Sequence, residues 1–202
     1  MPFRERLAIA SKNPHKLREL GRICADWPVE WVTVENHDGP WPDVEEPHET
    51  YLENAADKAR AVASALGVPA IADDSGLEVE GLGWGPGPRS ARFAGEDASD
   101  EQNLAKLISV VAELSPEDRR ARYVCLAVVA DPDDRMLYAR GLCEGVLVTE
   151  RRGGRGFGYD PIFVPDETPE RTMAELADEE KDRISHRGHA FRALRELVAA
   201  KG

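Results

Sequence analysis

The sequence predicts an α/β protein, because segments with the pattern of strands alternate with segments with the pattern of helices. Short apolar runs at positions 7–10, 29–34 and 70–72 have the length and composition of buried strands. Between these runs, apolar residues recur every three or four positions, as on the buried face of a helix. Three later strands are predicted at 123–130, 136–143 and 145–149.

Length and composition fit one globular domain over residues 1–202. Hydrophobic residues make up 42% and charged residues 32% of the 202 positions, which is enough apolar material for a core without disulfide bonds. The cysteines, Cys24, Cys125 and Cys143, have neither the spacing of a zinc site nor that of a disulfide framework. A reducing compartment is therefore expected.

The charge of the chain limits the kinds of partner. A formal net charge of -12 argues against a general binder of nucleic acid or of an anionic membrane, because both attract basic surfaces. The first six residues carry no leader pattern, and no apolar stretch is long enough to span a membrane. We therefore expect a cytoplasmic protein, which can still bind phosphate where its basic residues gather.

A polar junction at residues 11–16 connects the first strand to the first helix. It places Pro14 near the first helical turn and Lys16 one turn inside the helix. The free N–H groups of a helix N-terminus favour an anion, and Lys16 adds a full positive charge. The simpler interpretation is that Ser11 or Asn13 only caps the helix. The Gly-x-x-x-x-Gly-Lys pattern of a Walker loop is absent.

An acidic, proline-rich stretch at 36–47 leads into a strong helix pattern. Its composition is typical of a solvated loop, but Glu46 stands close to the start of the next helix. That helix begins at a capping box whose first residue is Thr50, and it ends at Gly67. Lys58 lies off the apolar stripe of this helix, where a solvated lysine is the simpler interpretation.

The most informative stretch is 70–77, in which an apolar strand runs into two carboxylates, Asp73 and Asp74, and then Ser75 and Gly76. If the strand continues, alternation puts the carboxylates on opposite faces. If the chain turns at Ser75, both can converge on one cation. Adjacent carboxylates repel each other, so they need a metal ion, a proton or basic partners. A plain hairpin turn is the alternative interpretation.

Two glycine-rich loops follow, at 81–90 and 153–161. The first does not fit Gly-x-Gly-x-x-Gly between a strand and a helix, so it predicts no dinucleotide fold. Ser99 caps the helix that comes after it. The second loop carries Phe157 and Tyr159, and we expect a planar ligand to stack there, with the tip of a long hairpin as the alternative.

The last part of the chain predicts two helices. Thr172 caps a short helix that carries Lys181. Ser185 caps the final helix, which puts His186 and Arg187 in its first turn. A positive charge there opposes the helix dipole, and such a local conflict often marks a functional residue.

Taken together, these stretches resemble the inosine triphosphate pyrophosphatase family, whose members remove deaminated purine nucleoside triphosphates from the nucleotide pool. The resemblance covers nearly the whole chain, in six motifs that occur in the family's order. They are Ser11-x-Asn13-x-x-Lys16, Glu46 before the segment 50–58, the segment 72–77, Ser90-Ala91-Arg92-Phe93, Phe157-Gly158-Tyr159-Asp160, and Lys181 with Ser185-His186-Arg187. The first motif usually begins with threonine, and Ser11 keeps the hydroxyl group.

The resemblance implies a long mixed β-sheet flanked by helices, with two lobes around a substrate cleft, and a homodimer. It implies cleavage between the α and β phosphates with Mg²⁺, and it makes Asp74 the proton acceptor and a metal ligand. Phosphoanhydride hydrolysis needs a hard cation, basic groups and an activated water. Glu46, Asp73 and Asp74 can supply the oxygen ligands and the base.

The substrate itself is a purine nucleoside triphosphate, and the resemblance implies fifteen residues in binding it. They are Ser11, Lys12, Asn13, Pro14, His15, Lys16, Lys58, Ser75, Phe157, Gly158, Tyr159, Asp160, Lys181, His186 and Arg187. Lys16, Lys58 and Lys181 are isolated cations in an acidic chain, which suits a triphosphate. The segment 157–160, with His186 and Arg187, is implied at the nucleoside end.

Rejection of ATP has a candidate explanation in the last motif. Inosine and xanthosine carry a carbonyl acceptor at C6, where adenosine carries an amino donor. Arg187 has only donors and His186 can donate, so this pair would satisfy the carbonyl and be left unpaired against the amino group. We therefore predict strong selectivity for ITP and XTP over ATP.

Two alternatives remain from the sequence. One is a Maf-type pyrophosphatase that acts on modified pyrimidine nucleotides, against which the motifs at 157–160 and 185–187 argue. The other is a nucleotide-binding regulatory module that does not hydrolyse its ligand. Such a sensor has no need for the acidic cluster of Glu46, Asp73 and Asp74.

Overall fold

The computed structural model describes residues 5–200. The prediction that the chain has no leader depends on residues 1–6, and residues 1–4 of that stretch lie outside the described residues. The strands are β1 Arg6–Ile9, β2 Glu30–Val32, β3 Ala70–Val79, β4 Gly85–Pro86, β5 Arg120–Ala130, β6 Met136–Leu147 and β7 Phe163–Pro165. The α-helices are α1 Pro14–Ile23, α2 Tyr51–Leu66, α3 Asp100–Ala112, α4 Asp178–Ile184 and α5 His186–Ala200. Within residues 5–200, no helix is both long and apolar enough to cross a membrane.

The strands form a mixed sheet in the order β2-β1-β3-β5-β6-β7, with β4 paired to β3. β1 is parallel to both of its neighbours, β2 and β3. The chain therefore needs crossover connections there, and α1 and α2 lie in them. The pairs β3–β4 and β6–β7 are antiparallel. The predicted α/β class with a mixed sheet flanked by helices is confirmed.

The chain divides into two compact units. The first takes in the described parts of 1–74, 125–141 and 187–202, and the second takes in 75–124 and 142–186. The single domain over 1–202 and the substrate cleft that the resemblance implies stay predictions.

The first unit is built around β1, which is buried on both faces, as expected for a strand with parallel neighbours. Leu7 and Ile9 pack into one apolar cluster with Phe191 of α5. Ala8 belongs to a second cluster with Ala59 of α2. The small alanines on that face let α2 pack closely against the strand.

The second unit has its own apolar cluster, which contains Leu77 of β3, Leu107 of α3 and Phe163 of β7. These side chains are fully buried. Two of the glycines of this unit permit close backbone approach. A Cβ atom at Gly76 would lie 2.2 Å from the carbonyl oxygen of Gly87, and one at Gly145 would lie 2.2 Å from that of Val164.

These close approaches explain where the predicted strand ends were wrong. A turn at Gly76 was one of two alternatives, and Gly145 was expected at the start of a separate strand, but β3 and β6 run unbroken through these glycines. Each glycine makes room for a neighbouring segment instead of breaking its strand. β4 and β7, of two and three residues, were not predicted because such short strands have no periodic pattern.

The helix boundaries follow the predicted caps. Thr50 accepts a hydrogen bond from Glu53 N–H at the start of α2, and Gly67 ends that helix in the left-handed region with φ +65°. Ser99 forms a capping box at the start of α3. α5 begins at His186, directly after Ser185, as predicted. The prediction for Thr172 is wrong in part, because it caps a 3₁₀ turn, Met173–Glu175, and Lys181 lies on the separate helix α4.

Candidate active site

β3 carries the adjacent carboxylates Asp73 and Asp74 in extended conformation. Because side chains alternate along a strand, the two contact different partners. Asp73 contacts Arg187 and Lys16, whereas Asp74 contacts Asn54 and Lys58. The strand continues through Ser75, so the turn that would have brought both carboxylates onto one cation is absent.

Asp73 belongs to a buried ion network in the first unit. The guanidinium of Arg187 donates to Asp73 Oδ2 from Nη2 at 3.0 Å and from Nε at 3.2 Å, and it also donates to Glu19 of α1. Lys16 Nζ lies 3.2 Å from the same Asp73 oxygen. Burial alone would raise the pKa of Asp73, but Arg187 and Lys16 outweigh it and hold that pKa well below its usual value. Asp73 is therefore a permanent anion.

The same network includes the side chain of Arg187. Its side chain is 1% exposed, and its donors point at Glu19 and Asp73. These two carboxylates compensate the positive charge in the first turn of α5, which was the local conflict in the sequence. The contacts make Arg187 a buried counter-ion, and its reading of C6 of the base stays a prediction.

Asp74, Glu46 and Lys58 form a second charged group in the first unit. Lys58 Nζ lies 2.7 Å from Glu46 Oε1 and 3.8 Å from Asp74 Oδ1. Burial raises the pKa of Asp74 above its ordinary value, in spite of the nearby lysines. Burial opposes ionisation of Glu46 too, but the ammonium of Lys58 lowers the pKa of that carboxyl below its usual value. The group therefore contains one carboxyl with a lowered pKa, Glu46, and one with a raised pKa, Asp74.

This arrangement bears on metal binding. Among the described residues, no three His, Cys, Asp or Glu side chains are grouped as ligands of a metal ion. Glu46 and Asp74 nevertheless lie on either side of one ammonium group, that of Lys58, so their carboxylates are close enough to offer oxygen ligands to a hard cation together. Asp73 lies on the opposite face of β3 and is engaged by Arg187, so Glu46 and Asp74 fit magnesium better than the predicted trio does.

The junction before α1 is a helix cap. Asn13 Oδ1 accepts from the N–H groups of His15 and Lys16 at 2.8 and 3.3 Å, and Ser11 Oγ accepts from Asn13 N–H at 3.2 Å. Pro14 takes the first helical position. The simpler interpretation, capping, is confirmed for Asn13. The N-terminal N–H groups are already used by this cap, so Lys16 carries most of any attraction for an anion.

The lysines singled out from the sequence are not isolated, and the structure corrects that prediction. Lys16 and Lys58 have the carboxylate partners described above. Lys12 pairs with the exposed Asp43 at 2.9 Å. Lys181 is buried in the second unit, where its Nζ lies 2.6 Å from Asp160 Oδ2. Each of these lysines therefore has a carboxylate partner, in keeping with the excess of acidic residues in the chain.

The second unit gathers polar groups around Asp160. Its Oδ2 accepts from Lys181 Nζ and, at 3.0 Å, from Phe157 N–H. Its Oδ1 accepts from the hydroxyl group of Tyr123 at 3.2 Å. Lys181 Nζ also lies 5.0 Å from the centre of the Phe157 ring, over its face. The ring of His186 stacks on Tyr123 with centroids 4.6 Å apart and planes 9° apart.

The 153–161 loop is anchored so that only one of its two aromatic rings stays accessible. Tyr159 is 5% exposed, packs in the core of the second unit, and donates its hydroxyl to the carbonyl of Ser90 at 2.7 Å. Gly158 N–H donates to Asp100 at 3.3 Å. Tyr159 is therefore a core residue, and the expected stacking of a planar ligand applies to the half-buried Phe157.

The predicted site residues thus fall into two groups. The first unit holds Ser11, Lys12, Asn13, Pro14, His15, Lys16, Glu46, Lys58, Asp73, Asp74 and Arg187, and the second holds Ser75, Phe157, Gly158, Tyr159, Asp160, Lys181 and His186. The residues that contact these groups and were missed from the sequence include Glu19, Asn54 and Tyr123. Their partners lie 20 to 168 positions away, and no local pattern marks such pairs.

Comparison with known proteins gives one consistent result. Residues 7–197 match the model of the Ham1 family. The dITP/XTP pyrophosphatase of Cutibacterium acnes is 48% identical over 199 residues, which cover 96% of this chain and 97% of that protein. The dITP/XTP pyrophosphatase of Bacillus anthracis is 42% identical over 197 residues, with 96% of each chain covered.

Solved structures give the same picture. The Ham1 protein of Staphylococcus aureus superposes with a TM-score of 0.80 at 38% identity and covers 98% of this chain and 100% of its own. The nucleoside-triphosphatase / dITP/XTP pyrophosphatase of Mycobacterium abscessus has a TM-score of 0.73 at 38% identity, with 96% and 98% covered.

Proposed function

The chain belongs to the Ham1 family, and we propose on that premise that it is a nucleoside triphosphate pyrophosphatase for deaminated purine nucleotides. Its substrates are ITP, dITP and XTP, and its products are the nucleoside monophosphate and pyrophosphate. The reaction removes these nucleotides from the pool before a polymerase can use them. The relatives at 42–48% identity over nearly the whole chain are dITP/XTP pyrophosphatases, which supports this proposal.

One observation in the structure supports hydrolysis in particular. A buried carboxyl with a raised pKa, Asp74, lies beside an ionised one, Glu46, and a single lysine contacts both. Two carboxyls whose surroundings push their pKa values apart can divide the work of base and cation ligand. Asp74 accepts the proton of the attacking water, and the hydrogen bond from Asn54 to its Oδ2 holds the carboxylate in place. Lys16 and Lys58 supply positive charge for the phosphates.

Magnesium is part of this proposal. Glu46 and Asp74 are the oxygen ligands that fit it, because they already share a cationic group and Asp73 is engaged by Arg187. When bound, the ion neutralises charge on the phosphate oxygens during cleavage. The role of Asp73 is then to hold Arg187 and Lys16 in place.

Lys181 and Asp160 are a second candidate for base recognition, beside the predicted His186 and Arg187. Hypoxanthine offers an acceptor at O6 next to a donor at N1, and adenine offers the reverse pattern. The ammonium group of Lys181 donates hydrogen bonds and the side-chain oxygens of Asp160 accept them, so the pair matches hypoxanthine and opposes adenine. Phe157 beside this pair offers a ring face for the purine. A site of this kind can reject the wrong base by about 10⁴-fold.

A panel of nucleotides tests the proposal. The purified chain is incubated with ITP, dITP, XTP, ATP, GTP and a modified pyrimidine triphosphate, each with Mg²⁺ and with EDTA. We expect turnover of the first three with Mg²⁺ and a kcat/KM for ATP lower by about 10³-fold or more. Preference for the pyrimidine would favour a Maf-type enzyme, and binding of ITP without turnover would favour a regulatory module.

The homodimer and the cytoplasmic location stay predictions from the resemblance and the sequence, as does the absence of nucleic-acid and membrane partners. Light scattering at the concentration of the assay checks the first of these. We expect a particle of twice the chain mass of 22.3 kDa, and a monomer that remains fully active would exclude the dimer as a requirement.

A further inference from the structure

Asn54 lies in the first turn of α2, and its side chain is completely buried, with 0% exposure. A buried carboxamide must satisfy two donors and an acceptor, or it costs stability. The amide of Asn54 does so in two directions at once. It holds the backbone of His48 on one side and the carboxylate of Asp74 on the other.

The bonds to His48 fix the segment that carries Glu46. Asn54 Oδ1 accepts from His48 N–H at 3.0 Å, and Asn54 Nδ2 donates to the His48 carbonyl at 3.1 Å. This reciprocal pair imitates one step of a β-ladder between a side chain and a loop. Glu46 is two residues before His48, so the pair limits where its carboxylate can go.

The remaining bond fixes Asp74. Asn54 Nδ2 donates to Asp74 Oδ2 at 3.1 Å, and the other oxygen, Oδ1, then faces Lys58 at 3.8 Å. Asparagine fits this position because it can accept from one group and donate to two. Aspartate would lose both donors and add a third carboxylate beside Asp74 and Glu46, and leucine would lose every bond.

We propose that Asn54 is a positioning residue that sets the placement of Glu46 relative to Asp74. This inference rests on the proposed function of those two carboxylates. Misplacement of a reacting group by about 1 Å can cost about 10²-fold in rate. The loss of Asn54 should therefore lower kcat, while groups that bind the rest of the nucleotide keep their contacts.

The chain offers a matched control in Asn103, a buried asparagine of α3 in the second unit. Its Oδ1 accepts from Ala94 N–H at 2.7 Å, and its Nδ2 donates to the Ala91 carbonyl at 2.8 Å. It therefore makes the same reciprocal pair with a loop, but none of its hydrogen bonds shown here goes to a carboxylate. Asn103→Ala removes a comparable pair of bonds and measures the purely structural cost of such a change.

The experiment compares Asn54→Ala, Asn54→Asp and Asn103→Ala with the wild-type chain. Thermal unfolding checks the fold, and steady-state kinetics on ITP gives kcat and KM. Calorimetry measures binding of inosine 5′-(α,β-methylene)triphosphate, a non-hydrolysable probe. We expect kcat to fall by about 10²-fold in both Asn54 variants, with KM and probe affinity within about threefold of wild type. Asn103→Ala should keep kcat within about threefold at a similar loss of Tm.

Two results would overturn the inference: equal losses of kcat in Asn54→Ala and Asn103→Ala, or a loss of probe binding as large as the loss of kcat. If Asn54→Ala does not fold, the isosteric Asn54→Asp decides in the same way, because it keeps the bond from His48 N–H. Absence of turnover in the wild-type chain would instead overturn the proposed function, and this inference with it.

Discussion

Replacement of Arg187 by alanine tests whether this residue is a buried counter-ion or a reader of the base. Its side chain is 1% exposed and lies between Glu19 and Asp73, which are themselves 5% and 3% exposed. The substitution leaves two carboxylates in the core of the first unit, with Lys16 beside one of them. We expect Arg187→Ala to lower the free energy of unfolding and to lower turnover of all nucleotides in parallel.

The size of the effect follows from the burial of the ions. Removal of one member of a buried ion pair costs about 3–5 kcal/mol, because the remaining charge is left without its partner. Domains have a free energy of unfolding of about 5–15 kcal/mol, so the variant should stay folded at 25 °C, but with a much lower midpoint in urea. The matched control is Arg120→Ala, which breaks an exposed pair with Asp166 at 2.8 and 2.9 Å. That change should cost less than about 1 kcal/mol.

The pH dependence gives a second readout. In the folded chain the pKa of Asp73 lies far below its ordinary value of 3.8, with Arg187 as the largest stabilising influence against the cost of burial. Ionised Asp73 therefore stabilises the folded state; this contribution is fully present at pH values above 3.8 and is lost as the pH falls below 3.8. Without Arg187, Asp73 can take up a proton while folded. The gap in unfolding free energy between wild type and variant should therefore narrow from pH 7 towards about pH 3.

The assay is urea unfolding followed by tryptophan fluorescence at several pH values, with kcat/KM measured for ITP and ATP on the same samples. A loss below about 1 kcal/mol at pH 7, equal to that of Arg120→Ala, would refute the buried counter-ion. So would a gap that does not change with pH. A selective loss of ITP turnover in a stable variant would return base reading to Arg187.

Three further predictions address the other groups. Asp74→Asn should keep the fold and nucleotide binding but lose about 10²–10⁴-fold in kcat, because the substitution removes the proton acceptor. Steady-state kinetics on ITP and calorimetry with a non-hydrolysable analogue measure this, and near-normal turnover would assign the base elsewhere. Lys181→Met should lower the ratio of kcat/KM for ITP to that for ATP by at least about 10²-fold, and an unchanged ratio would remove the Lys181–Asp160 pair from base reading. All three cysteines are buried, and the pKa of Cys143 is raised to about 12. A thiol reagent should therefore react slowly with the native chain, and it should react with three thiols per chain after unfolding. Rapid reaction of the native chain would contradict this burial.

The sequence predicts local features well and long-range pairing poorly. The caps at Thr50 and Ser99 and the end of α2 at Gly67 are local chemistry, and they are where they were expected. A turn was one alternative at Gly76 and a new strand was predicted from Gly145, yet each glycine lies inside a strand. Glycine is required at both positions because a Cβ atom there would lie 2.2 Å from a backbone oxygen of a neighbouring segment. No local sequence pattern can show such an approach.

The candidate site shows the same limit. The unfavourable position of Arg187 marked it as a functional candidate, but its partner Glu19 lies 168 positions away and nothing in the helix of Glu19 marks that residue. The aromatic ring of Tyr159, in a glycine-rich loop, suggested contact with a ligand. In the structure its hydroxyl group donates to the carbonyl of Ser90, 69 positions earlier, and the ring packs in the core. The sequence identified the chemistry of the charged groups, and the tertiary structure decided which charges face each other.

The identity of the phosphoanhydride bond that is cleaved decides most directly whether the protein is a pyrophosphatase. Wild-type chain is incubated with ITP and Mg²⁺, Asp74→Asn serves as the blank, and the products are separated by ion-exchange chromatography from the first turnovers onward. We predict IMP and pyrophosphate in equal amounts, with no build-up of IDP or orthophosphate. IDP and orthophosphate as the primary products would contradict a pyrophosphatase, whatever the rate.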